Sequence, residues 1–327
     1  MSFEFIKGHR NIIEKLKQMI DLGEIPSTII FYGKDGIGKL MVAKEFAREI
    51  LLKYCGGDSN LFGAIADEDK KSECENMFDK GIHPDFLLVN MGYQAALLNE
   101  KIEDQKSLKI DTLREVIKFS NLSPSFCQRK VIIIDTADKM TIDAQNSMLK
   151  TLEEPPQNTV ILLVSSNPNL LLPTVLSRCY KIMFKKLREQ DVMDILISKN
   201  YEFKRAELLA KLSEGSVSIA LKYDEILSIF SEVSIYRSLS PFLIVSKLSK
   251  RGDFREFANL VINFINAYLY LKIGEGNAGM EQILELLREN FKYKEYIKRN
   301  VNTKIILTVV IYKFLKNFNY FIKGVVL

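Results

Sequence analysis

Apolar residues along this chain follow two rhythms, and the change between them divides it. In residues 10–22, RNIIEKLKQMIDL, they recur at helical spacing. TIIFYG (28–33) is a short β-rich run closed by glycine. LMVAKEFAREILLKY follows with helical spacing again. The alternation continues with a strand pattern at DFLLVN (85–90) and an amphipathic helix at DTLREVIKFSNL (111–122), for which Asp111 is a candidate N-cap. VIIID (131–135) and TVILLVSS (159–166) are near-continuous apolar runs, as expected of strands buried on both faces. Between them DAQNSMLKTLEE (143–154) is helical and stops before Pro155 and Pro156. KIMF (181–184) is a shorter strand. Strands alternating with helices predict an α/β domain with a mostly parallel sheet.

Beyond about residue 186 the strand patterns cease. EQDVMDILISKN, RAELLAKLS, FREFANLVINFINAYLYLK, MEQILELLREN and TKIILTVVIYKFLKNF all carry helical spacing, punctuated by Gly215 and by GEGNAG (274–279). The expected organisation is an α/β module over 1–186, a small helical domain over 187–225 and a helical C-terminal domain over 226–327.

One connection carries candidate chemistry. GKDGIGKL (33–40) lies between a strand and a helix, and seven of its eight positions fit the phosphate-loop pattern G-x-x-x-x-G-K-[ST]. Gly33, Gly36 and Gly38 would let the backbone fold round an anion, and the helix N-terminus adds a favourable field. Lys39 would supply charge to terminal phosphates. Leu40 stands where a hydroxyl normally coordinates Mg²⁺, and leucine cannot do that. Asp135, ending the VIIID run, is the candidate metal-side carboxylate. An active phosphate-loop ATPase usually places an acid next, whereas here Thr136 follows and would activate water poorly. The alternative for the loop is a tight strand–helix connection, and for Asp135 a helix cap.

Composition narrows the function classes. A net charge of +5 and a pI near 8.8 permit contact with nucleic acid without demanding it. The four cysteines, 55, 74, 127 and 179, form no C-x-x-C pair, so neither a zinc knuckle nor a dithiol redox site is signalled. They suit a reducing cytosol. The apolar run IILTVVIY (305–312) is far short of the ~20 residues a membrane helix needs. With no apolar stretch of signal-peptide length at the start, the expectation is a cytoplasmic protein without membrane contact. Two distant histidines, His9 and His83, beside no nucleophile argue against a Cys/His hydrolase.

Residues 130–182 make the pattern specific. NSMLKTLEEPP and LSRC closely resemble the AAA+ subunits of DNA polymerase clamp loaders. GHRNIIEKL (8–16) resembles that family's N-terminal box, GIHPDFLLV (81–89) the segment following its zinc module, and GSVSIAL (215–221) the start of its lid-domain helix. The resemblance spans about residues 5–225. It implies a phosphate-loop AAA+ module, a helical lid and a C-terminal collar domain that joins a ring of five subunits.

Departures from the family pattern favour its non-hydrolysing member. Leu40 removes the Mg²⁺-binding hydroxyl and Thr136 the catalytic acid. Ser218 stands where the ATPase members carry a lid arginine. Losing three such electrostatic groups should make hydrolysis negligible. Ser177-Arg178-Cys179 matches the family's SRC motif, whose arginine acts in the neighbouring subunit's ATP site. The resemblance thus assigns Arg178 a catalytic role in trans, as an arginine finger. No cofactor is required on this reading. Gly33, Gly36, Gly38, Lys39 and Asp135 would form a degenerate site for weak ATP or ADP binding.

The family's four-cysteine zinc module is eroded here. Cys55 and Cys74 remain, while Ser72 and Glu75 occupy two former ligand positions in KKSECENMF. With His83 that makes three ligands at most, Glu75 being a poor fourth, so no bound zinc is expected. Asn167 falls at the family's sensor-1 position and is read as a structural cap. The implied partners are the gamma/tau ATPase and delta subunits, the sliding clamp through the complex, and primed DNA through its phosphates. Two alternatives stand beside this reading: a nucleotide-binding or active gamma/tau-like ATPase subunit, and a stand-alone nucleic-acid-binding protein.

Overall fold

Five short apolar runs pair side by side in the computed structural model, which describes residues 2–55, 64–233, 240–249, 254–274, 280–299 and 301–317. The chain separates into two compact units, Met1–Leu187 and Arg188–Leu327.

In the first unit the order is α1 (Arg10–Leu22), β1 (Thr28–Tyr32), α2 (Lys39–Lys53), α3 (Ala64–Asp79), β2 (Phe86–Val89), α4 (Met91–Leu98), α5 (Ile110–Asn121), β3 (Lys130–Ile134), α6 (Ile142–Glu153), β4 (Thr159–Ser165), α7 (Pro173–Leu176) and β5 (Tyr180–Met183). All four strand pairings are parallel, and the sheet order is β2-β3-β4-β1-β5. The register sets Ile29 between Leu162 and Tyr180, and Ile132 between Leu87 and Ile161.

The near-continuous apolar strands follow from burial of both sheet faces. Ile29, Phe31, Val131, Ile133 and Leu162 look to one side, where they pack with Leu16 of α1 and Val42, Phe46 and Ile50 of α2. Ile30, Ile132, Ile134 and Ile161 look to the other, against Leu113 and Val116 of α5 and Ala144 and Met148 of α6. The residue alternation of β1, β3 and β4 therefore divides two cores rather than core from solvent, while the edge strand β5 buries only Ile182.

From β1 the chain crosses to the far edge at β2 and works back through β3 and β4. From β4 it passes to the opposite side of β1, to β5. The connections leaving β1 and its neighbour β4 thus run in opposite directions. The carboxyl ends of these two strands flank a topological switch point, the usual place for a ligand crevice in an open α/β sheet.

The second unit is helical throughout its described residues: α8 (Glu189–Ser198), α9 (Phe203–Leu212), α10 (Val217–Val233), α11 (Ser240–Leu248), α12 (Phe254–Gly274), α13 (Met280–Lys298) and α14 (Thr303–Asn317). Tyr223, Phe230, Phe264, Tyr268 and Phe314 stack on one another at ring-centroid distances of 5.2–6.4 Å. Phe264 and Tyr268 of α12 thereby form core, while Tyr270 on the same helix is exposed. Inside this core Asn290 donates to Asn266 at 2.7 Å. Gly274 ends α12, and the rest of the GEGNAG punctuation, 275–279, lies outside the described residues. No helix among the described residues is long and apolar enough to cross a membrane.

One local expectation needs correction. Asp111 is not the N-cap of α5; Lys109 holds that position without a side-chain bond. Asp111 sits in the first turn, where its charge still favours the helix N-terminus, and it pairs with Arg114 at 3.0 Å.

Candidate functional site

The phosphate-loop pattern folds as a loop between β1 and α2, at the carboxyl end of the sheet. Its three glycines take positive φ: 150° at Gly33, 71° at Gly36 and 95° at Gly38. Gly33 is the most constrained, because a Cβ there would lie 2.3 Å from the carbonyl oxygen of Phe184. The loop can turn this tightly only with glycine at its first position. His9 of the N-terminal box contacts it directly, with Nε2 2.8 Å from the Ile37 carbonyl and the ring edge-on to Phe184.

Lys39 is buried and turned into its own loop. Its Nζ donates to the carbonyls of Gly33 (2.8 Å) and Lys34 (2.6 Å) and to Ser166 Oγ (3.2 Å). Burial lowers its pKa, opposed by Asp35, Asp138 and Asp135 around it. Burial likewise raises the Asp135 carboxyl, opposed by the Thr136 N–H, which donates to Oδ1 at 2.9 Å, and by Lys39. Lys39 and Asp135 therefore lie in one field, as the sequence spacing implied. Ser166 and Asp138 complete it: the Ser166 N–H donates to Asp138 Oδ1 at 2.9 Å, and Ser166 Oγ reaches Asp35 at 3.4 Å. Sequence reasoning missed these two. The available signal was the polar SSN that ends the fourth apolar run.

The two departures in the motif have structural counterparts. Leu40 is half-buried and packs on the hydrophobic cluster beneath α2. The first turn of α2 thus presents an apolar anchor where a metal ligand would stand. Thr136 has φ 54° and ψ 43°, a left-handed conformation that a β-branched residue adopts only at a cost. Its buried Oγ1 has no hydrogen-bond partner. The loop amides and Lys39 fit an anionic phosphate, whereas the Asp135 carboxylate would meet one only across a cation; Leu40 and Thr136 supply neither a magnesium ligand nor a base. Asn167 is exposed and makes no side-chain cap bond. Ser218 lies in the first turn of α10, in the second unit.

Arg178 follows the four-residue helix α7. Its side chain is 29% exposed, donating from Nη1 to the Thr174 carbonyl (3.0 Å) and from Nη2 to Glu153 (2.9 Å). Its Nε is buried without a partner. The neighbouring Cys179 is a packed thiol bonded to the Val175 carbonyl at 3.2 Å, and burial pushes its pKa up to about 12.

The remnant of the zinc module assembles differently from its spacing in sequence. Ser72 is exposed, and Glu75 pairs with Arg48. Neither reaches the sulfurs. Instead Cys127, from the loop before β3, joins Cys55 and Cys74, and the three sulfurs lie within 4.8 Å of one another. His83 Nε2 is 3.3 Å from the Cys74 sulfur and 3.5 Å from that of Cys127. Cys55, Cys74 and His83 alone do not fit a four-ligand ion; with Cys127 three sulfurs meet, and the His83 imidazole lies beside them.

A family model described as DNA polymerase III, delta subunit, matches residues 8–188, more than half of the chain. The delta' subunit of DNA polymerase III from Pseudomonas aeruginosa is 31% identical over 150 residues, which cover 46% of this chain and 40% of that protein. Its counterpart from Bacillus subtilis is 30% identical over 204 residues, covering 62% and 56%. The matches thus span about half the length of these relatives. A gamma subunit-related protein of Thermotoga maritima is similar in structure at a TM-score of 0.45 and 18% identity, covering 92% of this chain and 98% of that one. On the span of the family match, the chain belongs to the DNA polymerase III delta subunit family.

Proposed function

We propose that this chain is the delta-prime subunit of a clamp loader: a non-hydrolysing scaffold that lends Arg178 to the ATP site of an adjacent gamma/tau subunit during loading of the sliding clamp on primed DNA. The observation that carries this reading is the state of α2's first turn. Leu40 is committed to the hydrophobic cluster, while Lys39 is spent on the Gly33 and Lys34 carbonyls. A site organised this way can hold phosphate weakly through the loop amides. It has no side chain to place magnesium from α2, and Thr136 rather than an acid follows Asp135 in the chain to orient water. Its own contribution to chemistry must lie elsewhere.

Arg178 is suited to that role. Its guanidinium is always charged and planar, and its internal ties are a hydrogen bond to the Thr174 carbonyl and one ion pair to Glu153, whose side chain is 59% exposed. Exchanging that carboxylate for a phosphate oxygen on a neighbour costs little, because exposed pairs are worth about 0–1 kcal/mol. Such a finger contributes about 10³–10⁵ in rate. On this reading the first unit is the AAA+ module and the second divides into a lid, 187–225, and a collar-forming domain, 226–327. DNA is met through its phosphates alone.

The test is reconstitution with the cognate gamma/tau and delta subunits. Arg178→Ala should leave the subunit's fold and its assembly intact and lower DNA-stimulated ATP hydrolysis and clamp loading. Unchanged hydrolysis in the assembled complex refutes the finger. A second reading, a nucleotide-binding gamma/tau-like subunit, is favoured by the retained loop glycines, Lys39 and Asp135. Tight, magnesium-dependent ATP binding with turnover by the isolated chain would establish it instead. A chain that stays alone when mixed with those subunits would favour a stand-alone nucleic-acid-binding protein.

A further inference from the structure

Cys55, Cys74, Cys127 and His83 come from four separate places: the end of α2, the polar helix α3, the loop before β3 and the loop before β2. All four are buried, at 3%, 0%, 7% and 3% exposure. Four polar groups at one point of a hydrophobic cluster call for a physical reason. Packing alone does not require three sulfurs to face one another.

The sulfurs lie close enough together to close on one cation with a small shift of Cys55. Three sulfurs at about 2.3 Å from a common cation lie about 3.8 Å apart in a tetrahedral site and about 4.0 Å apart in a trigonal plane. The Cys74 and Cys127 sulfurs are 3.8 Å apart, and all three fall within 4.8 Å. The imidazole occupies the next place, but its tautomer restricts what it can do. The Asp85 N–H donates to Nδ1 at 3.1 Å, so the neutral ring carries its proton on Nε2. Nε2 then donates to the sulfurs of Cys74 and Cys127 rather than ligating a metal. A hydrogen bond of this kind orients a thiolate and tempers its charge.

We propose that Cys55, Cys74 and Cys127 bind one soft, thiophilic cation, Zn(II) or Cu(I), through three thiolates, with His83 as an N–H donor that positions the sulfurs. The site differs from the four-cysteine module that the sequence resembles. It draws Cys127 from outside that segment, and it lies inside the core. Bound there, the ion would tie α3 and the end of α2 to the loop that leads into β3. The sequence of α3, AIADEDKKSECENMFD, has few apolar residues with which to hold itself down. Cys74 is fully buried on this helix.

The full chain, purified under reducing and oxygen-free conditions, supplies the test. Elemental analysis should find one zinc or copper per chain and so distinguish the two. After removal of the ion, Cd(II) alone should restore a thiolate charge-transfer band at one equivalent. It should protect three of the four cysteines from a thiol reagent, leaving Cys179 as the one unprotected when the chain is unfolded. Cys127→Ser should weaken Cd(II) binding by more than about 100-fold, and His83→Gln by about 10–100-fold, as for loss of an outer-shell partner. Cys179→Ser should change nothing. If Cys127→Ser does not fold, the count of protected thiols in the unaltered chain decides. A metal-free chain that Cd(II) does not protect, protection of only two thiols, or full metal content in a folded Cys127→Ser variant would overturn the proposal.

Discussion

Replacing Leu40 with threonine restores the consensus phosphate-loop residue and thereby asks whether this position is a lost ligand or a structural anchor. A fully buried leucine contributes about 1.5–3 kcal/mol by removal from water, and the half-buried Leu40 about half of that. Threonine keeps only part of this contact. It also lowers helix propensity by a few tenths of a kcal/mol, about 0.4, in the first turn of α2. The expected loss is about 1–1.5 kcal/mol. For a unit of this size that corresponds to roughly 2–6 °C in Tm. The assay is thermal unfolding of the chain and of Leu40→Thr, each with ADP or ATP and with or without magnesium, together with ATP turnover. We expect a lower Tm, no magnesium-dependent rise with nucleotide, and no turnover, because Thr136 still follows Asp135. A variant with unchanged Tm would show that Leu40 is not an anchor. One that gained magnesium-dependent stabilisation or hydrolysis would show that the site lacked nothing but a hydroxyl.

Arg178→Ala in the isolated chain should move stability by no more than about 1 kcal/mol in a chemical denaturation curve, since the pair it breaks is exposed; a larger loss would make the arginine structural. Thr136→Asn should stabilise by about 1 kcal/mol, because asparagine tolerates the left-handed backbone that strains threonine; an unchanged or lower Tm would count against that strain. Gly33→Ala should destabilise the first unit by at least about 3 kcal/mol, as its Cβ would meet a backbone oxygen that cannot swing away; recovery of a folded chain with unchanged Tm would refute the tight turn. Asp85→Ala should cost about 3–5 kcal/mol and speed the reaction of Cys127 with a thiol reagent, because three backbone N–H groups lose a buried anion.

All five strands and the long amphipathic helices were legible because burial imposes a period on them. TVILLVSS could only be a strand covered on both sides, and RNIIEKLKQMIDL only a helix with one apolar face. Three helices of the first unit carry no such period. α3 is mostly polar, and it is attached by the buried Cys74, by Phe78 packed on Phe86, and by ion pairs from Glu75 and Asp79 to Arg48, none of which forms a period. α4 is short, and Asn90, which the strand pattern of 85–90 absorbs, is its N-cap, accepting from the Tyr93 N–H at 2.9 Å. α7 has only four residues. At the phosphate loop the glycines, Lys39 and Asp135 were legible because their chemistry fixes both residue type and spacing. The same spacing does not reveal that Lys39 spends its donors on Gly33 and Lys34, which depends on the loop's closed path. Cys127 stands 53 residues from Cys74, a pairing that only the fold brings together.

The HPD triplet, residues 83–85, marks where these separate features meet. Asp85 is fully buried, and its carboxylate accepts from the N–H groups of Ser125 (2.6 Å), Phe126 (2.7 Å) and Cys127 (2.7 Å). Its own carbonyl accepts from the Val131 N–H at 2.9 Å. One residue therefore fixes the path of the chain into β3 from the residue preceding β2. Lys130, 1% exposed, helps offset the buried charge while its ammonium bonds to the Phe119 carbonyl at 3.0 Å and lies over that ring. A buried charge of this kind is tolerated only when its lone pairs are filled, and three short N–H bonds do so. The Asp85 N–H meanwhile sets the tautomer of His83, and its carboxylate delivers Cys127 to the sulfurs. The triplet thus needs neither a nucleotide nor a partner to account for its residue types. Asp85 and His83 hold the edge of the sheet and the sulfur cluster in one hydrogen-bonded unit.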